Sequence, residues 1–238
     1  MLNKKKKKGK RSRLQRFFRF ALKVFLYGLL LSFVYILFCK WINPPITLTQ
    51  LNSVLHGHNI QRDYIGYDKM GSNAKLAVMA GEDQLFPDHN GFDLKSIQKA
   101  MKHNQKNKSL RGASTISQQV AKNVFLWQHG GFLRKGLEVY FTFMIEHLWS
   151  KKRILQMYLN VAEMGPGVFG IQAAARHYFK KPAISLSNKE AAMIASCLPN
   201  PKLFTISPMS ARVAYRYPWI LRQMNNLKAD PDIQELLK

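Results

Sequence analysis

The chain has few cysteines, and this scarcity excludes two kinds of structure. Cys39 and Cys197 are the two cysteines in 238 residues, and each stands in or beside an apolar run. No CxxC pair and no metal-spaced group of cysteines and histidines occurs, which excludes a disulfide framework and a cysteine-held metal. We therefore expect both thiols to be small buried apolar residues without a disulfide. His56 and His58 form an HGH pair, for which a solvated loop is favoured over a metal site.

Acidic residues are also scarce, and they are unevenly placed. The chain has 13 Asp and Glu against 37 Lys and Arg, a formal net charge of +24. The first acidic residue is Asp63, so the preceding segment holds cations alone, whereas the rest mixes both signs. The basic N-terminal segment and the basic body therefore need separate explanations. Four of the 13 acids lie together in AGEDQLFPDHNGFD, residues 80–93.

The basic N-terminal segment adjoins a long uncharged run. Lysines and arginines are dense in residues 4–23, and VFLYGLLLSFVYILFC, residues 24–39, carries no charge. With its apolar flanks this run approaches the roughly 20 residues that a membrane-spanning helix needs. The positive-inside rule then places the lysines in the cytoplasm and the body across the membrane. Anionic lipid, rather than nucleic acid, is the expected partner of the basic residues.

The residues after the run decide between an anchor and a processed leader. The sequence FCKWINPP offers no small-x-small cleavage site. A lipidated cysteine usually follows a small residue, and the residue before Cys39 is Phe38. An uncleaved single-pass anchor is therefore favoured over a cleaved signal peptide or a lipid-modified cysteine.

Beyond the anchor the hydrophobic periodicity is mostly helical, and no internal repeat occurs. This pattern predicts an all-α domain whose helices are separated by loops rich in Gly, Pro and polar residues. The expected organisation is a basic cytoplasmic tail (1–19), a transmembrane anchor (20–42), a stem with one short helix (43–63), a helical domain (64–228) and a frayed C-terminal tail (229–238). The expected helices are 74–83, 93–104, 114–123, 133–149, 151–160, 170–179, 187–197 and 210–227.

The acidic cluster lies at the end of one predicted helix. Glu82 and Asp83 would sit at the edge of the core, where loss of hydration raises the pKa of a carboxyl group. A carboxylate of that kind suits a general base near neutral pH. The alternative is an acidic turn that ends the helix, with Asp88 and Asp93 as caps. Asp93 does have the position of an N-cap for LKSIQKAM.

A second carboxylate lies inside an apolar helix. Glu138 is surrounded by apolar residues in LRKGLEVYFTFMIEHLW, residues 133–149, and such a helix is buried. A buried carboxylate without a partner is costly, and Arg134 stands four residues earlier on the same face. The pair is either an ordinary ion pair of a helix or a carboxylate held beside cations in a cleft. Glu146, the other acid of this helix, is expected to be structural.

A third stretch, RGASTISQQVAKN at residues 111–123, begins a predicted helix. Ser114 and Thr115 can cap it, and Thr115 with Gln118 fits a capping box. Capping does not explain the two adjacent glutamines and Lys122. A helix start with N–H groups, hydroxyls and a lysine suits an anion, phosphate in particular. Two carboxylates, this helix start and an anchor together indicate sugar chemistry on a lipid-linked phosphate outside the cytoplasm.

Five segments resemble, in order, the motifs of a known family. They are EDQLFPDHNGFD, GASTISQQVAKN, RKGLE, KKRILQMYLNVAEMGPGVFGIQAAARHYF and LSNKEAAMIASCLPNP. The chain is similar to the peptidoglycan glycosyltransferases, glycosyltransferase family 51, over residues 64–228, and it looks like a monofunctional member because no transpeptidase segment follows. The resemblance implies a lysozyme-like all-α domain behind one N-terminal transmembrane helix, on the outer face of the inner membrane. Lipid II, the lipid-linked glycan chain and the membrane are the implied partners, with cell-division or cell-wall synthesis proteins as further candidates.

The resemblance also implies a role for individual residues. Glu82 would be the catalytic base, which deprotonates the GlcNAc 4-hydroxyl of lipid II for attack on C1 of the donor, with inversion and release of undecaprenyl pyrophosphate. Glu138 would be a second catalytic residue on the pyrophosphate side, with cations or a divalent metal such as Mg²⁺ or Mn²⁺. The acceptor side would contain Asp83, Phe86 and His89, and the pyrophosphate and sugars would contact Ser114, Gln118, Lys122, Arg134 and Lys135.

One position departs from the family pattern. Members often carry an arginine where this chain has Gly130, so His129 or a lysine of the loop at 102–111 is expected to supply the charge. Pyrophosphate is a good leaving group once its charge is neutralised, so cations can replace a general acid.

Two other functions are weighed against this one. A lysozyme-like muramidase or lytic transglycosylase protonates a sugar oxygen and would need no cations for pyrophosphate, so Lys122, Arg134 and Lys135 disfavour it. A non-catalytic, membrane-tethered binder of anionic lipid or nucleic acid would not need the buried Glu138.

Overall fold

The computed structural model describes residues 13–106, 112–128 and 130–238. The chain divides into two compact units, residues 1–42 and 43–238. In the first unit one helix, α1 (Arg13–Trp41), covers 29 residues. It is long and apolar enough to cross a membrane, because a helix rises about 1.5 Å per residue.

The second unit is predominantly α-helical, as the periodicity predicted. Its helices agree with the predicted ranges to within a few residues, and the short helix expected in the stem is α2. The helices are α2 (Leu48–Leu55), α3 (Ser72–Glu82), α4 (Leu94–Lys106), α5 (Ile116–Phe125), α6 (Phe132–Leu148), α7 (Lys151–Val161), α8 (Ile171–Phe179), α9 (Asn188–Cys197), α10 (Ala211–Leu227) and α11 (Pro231–Leu237). Short 3₁₀ turns lie at Tyr67–Met70 and Ala183–Ser185.

Helix α3 forms the centre of the second unit and ends at the acidic cluster. Residues 74–80 are all buried, and α3 packs against α9, α10 and α11. Its small residues permit close approach: a Cβ atom at Gly81 would lie 3.2 Å from Cδ1 of Ile220 on α10. A second group of helices is formed by α5, which packs against α6 and α7. The last turn of α3 therefore lies beside α10, where a side chain of α10 can reach it.

Ser and Thr residues begin several of these helices, as expected from their hydrogen bonding to free N–H groups. Thr47, Thr115 and Ser187 each form a capping box with the Gln or Glu three residues later. Neither cysteine is in a disulfide and both are buried, as predicted, and burial raises the pKa of Cys197 to about 12.

A small sheet joins the stem to the Gly-rich loop after α7, and the sequence pattern did not predict it. Strand β1 (Gln61–Arg62) pairs in parallel with β3 (Val168–Phe169), which pairs antiparallel with β2 (Glu163–Gly165). Gly167 has φ +71, and a Cβ atom there would lie 2.5 Å from the carbonyl oxygen of Asn59. Strands of two or three residues are too short to produce the alternation by which strands are recognised.

The expectation of a frayed C-terminal tail was wrong, because residues 231–237 form α11. Asp230 caps this helix by accepting the N–H groups of Asp232 and Ile233 at 2.9 and 3.1 Å, and Pro231 suits the first helical position. Ile233 and Leu236 are buried in a helix that packs against α3. Tertiary burial therefore orders a helix that would be too short to form alone.

We expect Ile233→Ala to lower the free energy of unfolding by about 2–4 kcal/mol, because it removes a buried side chain and leaves a cavity. Urea or thermal unfolding of the purified protein measures this change. Glu235→Ala is the matched control, since Glu235 lies on the same helix outside its buried face and should change stability by less than about 0.5 kcal/mol. Equal stability of the two variants would contradict the packing of α11.

Candidate active site

Glu82, the predicted base, is the last residue of α3 and has a partner on each carboxylate oxygen. Gln119 on α5 donates from Nε2 to Oε2 at 2.9 Å, and Arg216 on α10 donates from Nη2 to Oε1 at 3.1 Å. Burial raises the pKa of Glu82, while the Gln119 hydrogen bond and the charges of Arg216 and Lys122 oppose that rise. The predicted desolvation of this carboxylate at the core's edge is therefore confirmed.

Gln119 and Arg216 are site residues that the sequence reasoning did not identify. The two adjacent glutamines indicated a site at this helix start. The sequence favoured Gln118 as a substrate contact, whereas the side chain that reaches Glu82 is that of Gln119. Arg216 had no sequence signal, because its position follows from the packing of α10 on α3. The guanidinium also donates to the carbonyl oxygen of Gly81 at 2.8 Å, which fixes it at the end of α3.

Asp83 and His89 do come together, but they form hydrogen bonds with each other and with backbone N–H groups. The N–H of Gly91 donates to Nδ1 of His89 at 3.1 Å, so the proton is on Nε2, which donates to Asp83 at 3.0 Å. Asp83 Oδ2 also accepts the N–H of Ile116, the first residue of α5, at 2.9 Å. Asp83 therefore ties the end of α3 to the start of α5.

The start of α5 differs from the free, phosphate-suited helix end that the sequence predicted. Asp83 already supplies a negative charge there, which stabilises a helix N-terminus. Thr115 accepts the N–H of Gln118 at 3.2 Å, and the Gln118 side chain accepts the N–H of Thr115 at 3.0 Å. Gln118 is thus part of the capping box and buried, whereas Ser114, just before the cap, is exposed.

The side chains of Phe86 and Glu146 are buried and contact other residues of the chain. Phe86 is fully buried, and the Lys151 ammonium lies 4.6 Å from its ring centroid. The buried Glu146 carboxylate binds this ammonium at 2.9 Å and also accepts a hydrogen bond from Ser117. These contacts are the ones expected of the structural residue that Glu146 is predicted to be. Phe86 lies within the core, so it fixes the acidic segment to the core.

A second charged cluster surrounds Glu138 on α6. Its side chain is 4% exposed, and it binds Nη1 of Arg134 at 2.7 Å and the ammonium of Lys135. Nε of Arg134 is buried and has no hydrogen-bond partner among the described residues. Lys135 is about half exposed at 47%. The pairing of Glu138 with Arg134 is confirmed, and Lys135 adds a second cation.

Lys122 on α5 links the two carboxylates electrostatically. Burial lowers the pKa of its ammonium group, while the charges of Glu138 and Glu82 act in the opposite direction. Throughout the described part of the chain, no residue forms a hydrogen bond or ion pair with this ammonium. A desolvated cation without a fixed partner, in the field of both carboxylates, can bind an incoming anion.

The backbone of Gly130 lies so close to Arg134 of the cationic cluster that a side chain at this position would clash. A Cβ atom there would lie 2.9 Å from Cβ of Arg134 and 2.9 Å from Nε1 of Trp127. The two alternatives for the missing charge, His129 and the loop lysine, fall wholly or partly outside the described residues, since 107–111 and 129 are not included.

We expect Gly130→Ala to lower kcat/KM by about tenfold for the substrate that the family resemblance implies, because the new methyl group displaces Arg134 from Glu138. Steady-state kinetics with equal amounts of folded protein measure this. Gly131→Ala is the control, since a Cβ atom at Gly131 meets nothing within 4 Å. A Gly130→Ala enzyme as active as the control would contradict this role of the glycine.

The described residues contain no group of three or more His, Cys, Asp or Glu that could hold a metal ion. His56 of the HGH pair, at the end of α2, donates from Nδ1 to the carbonyl oxygen of Asn52, 2.7 Å away. Glu138 binds cationic side chains through both carboxylate oxygens. This donor set does not fit a protein-held divalent cation, which prefers several oxygen ligands.

Comparison with known proteins identifies the family of the chain. Residues 48–225 match the sequence model of a family described as Transglycosylase. The chain belongs to the transglycosylase family. The match covers more than half of the chain and includes both carboxylate clusters, and it identifies the protein as a glycosyltransferase with a lysozyme-like fold.

Three similar proteins are each named biosynthetic peptidoglycan transglycosylase. One from Aeromonas hydrophila is 45% identical over 209 residues, covering 86% of this chain and 89% of the relative. One from Pseudomonas aeruginosa is 45% identical over 223 residues, covering 91% and 96%. One from Escherichia coli is 51% identical over 190 residues, covering 78% of each chain. The resemblance to the peptidoglycan glycosyltransferases is therefore confirmed.

Proposed function

We propose that this transglycosylase polymerises the glycan strands of peptidoglycan. The lipid-linked growing chain is the donor, and the GlcNAc 4-hydroxyl of lipid II is the acceptor. The acceptor oxygen forms a bond to C1 of the donor sugar, and the bond from C1 to undecaprenyl pyrophosphate breaks with inversion. The acceptor proton goes to the enzyme, and the electron pair of the broken bond leaves with the pyrophosphate.

The observation that carries this proposal is the contrast between the two carboxylates. Glu82 is desolvated, and burial raises its pKa, so it can take a proton near neutral pH. Glu138 instead lies between Arg134 and Lys135, a pairing that keeps a buried carboxylate compensated. One carboxylate therefore suits a base, and the other holds cations in place.

The cationic side suits a pyrophosphate leaving group. Lys122 has no fixed anionic partner among the described side chains, and Lys135 is about half exposed. Buried N–H donors normally have a partner, so the unpaired Nε of Arg134 suits an anionic substrate. Such preorganised charges stabilise the developing negative charge of the leaving group. Ser114, exposed at the start of α5, is a further candidate contact.

Our assignment of the acceptor side is revised by the contacts of the acidic segment. Asp83, His89 and Phe86 face one another or the core. We propose that they act by holding Glu82 and α5 in place, and that Gln118 does so through its capping box. The chain's direct contacts with the acceptor then centre on Glu82.

Helix α1 supports a membrane location for this reaction. We propose that it anchors the protein in the inner membrane with the basic N-terminus in the cytoplasm, since Lys and Arg are retained there. The catalytic unit then works on the outer face, where it meets lipid II and the lipid-linked chain. Chelation tests whether polymerisation needs a divalent cation at the donor pyrophosphate, and no step above depends on one.

Incubation of the detergent-solubilised protein with labelled lipid II tests the proposal, with products separated by size before and after muramidase digestion. We expect a ladder of long glycan that muramidase degrades. Intact lipid II together with cleavage of finished glycan would instead support a lytic muramidase. Intact lipid II and intact glycan would leave a non-catalytic lipid binder.

A further inference from the structure

Tyr158 has a buried hydroxyl group that the reaction described above does not use. It lies on α7 with no exposed surface, and its hydroxyl donates to Oε1 of Gln119 at 3.1 Å. The same amide donates from Nε2 to Oε2 of Glu82 at 2.9 Å. The three side chains therefore form one hydrogen-bonded series from the core to the carboxylate.

The partners of Gln119 determine which way its amide points. An ionised carboxylate only accepts hydrogen bonds, so the Nε2 group must face Glu82 and Oε1 must face Tyr158. If the amide turned over, Oε1 would face the carboxylate of Glu82, and two acceptors would meet. The buried O–H of Tyr158 would then also lose its acceptor, which is unfavourable. The reversed amide is compatible with Glu82 only when Glu82 carries a proton.

We propose that Tyr158 is a positioning residue that holds the Gln119 amide in the orientation that donates to Glu82, and so keeps this carboxylate ready to act as the base. The inference rests on the proposed role of Glu82. Tyr158 does not touch the substrate and acts through Gln119 alone.

Other charged groups act on Glu82 as well, and the effect of Tyr158 is superimposed on theirs. Burial raises the pKa of Glu82, and the hydrogen bond from Gln119 is the largest influence that lowers it. Loss of that bond therefore moves protonation of Glu82 to higher pH. The remaining charged groups that act on this carboxylate are Arg216 of α10, Lys122 of α5 and Asp83 at the end of α3.

The test is the pH dependence of kcat/KM for lipid II polymerisation by Tyr158→Phe. Because Glu82 must be ionised to act as a base, we expect the acid limb of the profile to move to higher pH. On that limb the variant should lose about tenfold, while the rate at alkaline pH is largely retained. Tyr178→Phe is the matched control, since the Tyr178 hydroxyl donates to the carbonyl of Met164 and should leave the limb unchanged.

A second variant separates positioning from a general loss of structure. Gln119→Met removes the amide, so it should move the acid limb by itself, and adding Tyr158→Phe to it should produce no further shift. An additional shift in the double variant would overturn the proposal. So would an unmoved limb in Tyr158→Phe, or a loss equal at every pH.

An infrared titration distinguishes this inference from the assignment of the base. The carboxyl band that disappears in Glu82→Gln reports the protonation of Glu82 without any need for catalysis. If that band titrates at higher pH in Tyr158→Phe, the positioning role holds even where polymerisation does not depend on Glu82. If the band is unmoved while Glu82→Gln is inactive, Glu82 is the base and the role of Tyr158 is wrong.

Discussion

Glu82→Gln should abolish glycan polymerisation, with a loss of about 10³-fold or more in kcat, because the variant cannot accept the proton of the acceptor hydroxyl. Glutamine has nearly the same shape and keeps an oxygen that Arg216 can donate to. The loss of the ion pair is offset because burial disfavours the ionised form of Glu82 and raises its pKa, a cost that a neutral side chain avoids. Thermal unfolding should therefore show an intact fold with a melting temperature near that of the wild type. Lipid II turnover, measured beside a melting curve, checks both parts.

Glu146→Gln is the matched control for this substitution. Its carboxylate is also buried, yet it binds Lys151 and Ser117 beneath the site. We expect it to lower the melting temperature, since it leaves the partly buried Lys151 ammonium without its charge partner, while activity per folded molecule persists. Full polymerisation by Glu82→Gln would show that another group is the base.

Lys122→Met should lower kcat/KM for the lipid-linked donor by about 10²-fold, the usual loss when one group that stabilises the developing charge is removed. Stability should not fall together with activity, and it should be unchanged or slightly higher. Burial lowers the pKa of the Lys122 ammonium, so at neutral pH the charged form is disfavoured by folding. Methionine fills the same space without that cost. We therefore expect weaker catalysis with an unchanged or higher melting temperature.

Lys181→Met supplies the comparison for Lys122→Met. Lys181 pairs with Glu190 at 2.6 Å, at the start of α9, and it has no contact with either carboxylate cluster. Its loss should leave polymerisation unchanged. A Lys122→Met enzyme that melts much lower, yet turns over lipid II normally per folded molecule, would make Lys122 a structural residue.

The features that depend only on residues close together in the chain can be predicted from the amino-acid sequence by itself. Helix ranges follow from the periodicity of apolar residues, and the capping box of Thr115 and Gln118 follows from a spacing of three. Arg134 and Lys135 meet Glu138 because residues three and four apart share a helix face. The uncharged run of α1 and the scarcity of acids are likewise properties of composition.

Contacts between residues far apart in the chain do not follow in this way. Arg216 reaches Glu82 because α10 packs against α3 at Gly81, and Asp83 binds the first N–H of α5. Helix α11 forms because Ile233 and Leu236 are buried against the rest of the unit. The physical reason is that local propensity and spacing act within a few residues. The partners of a buried polar group are selected by how the helices pack, and here that packing decides which glutamine, arginine and tyrosine surround the base.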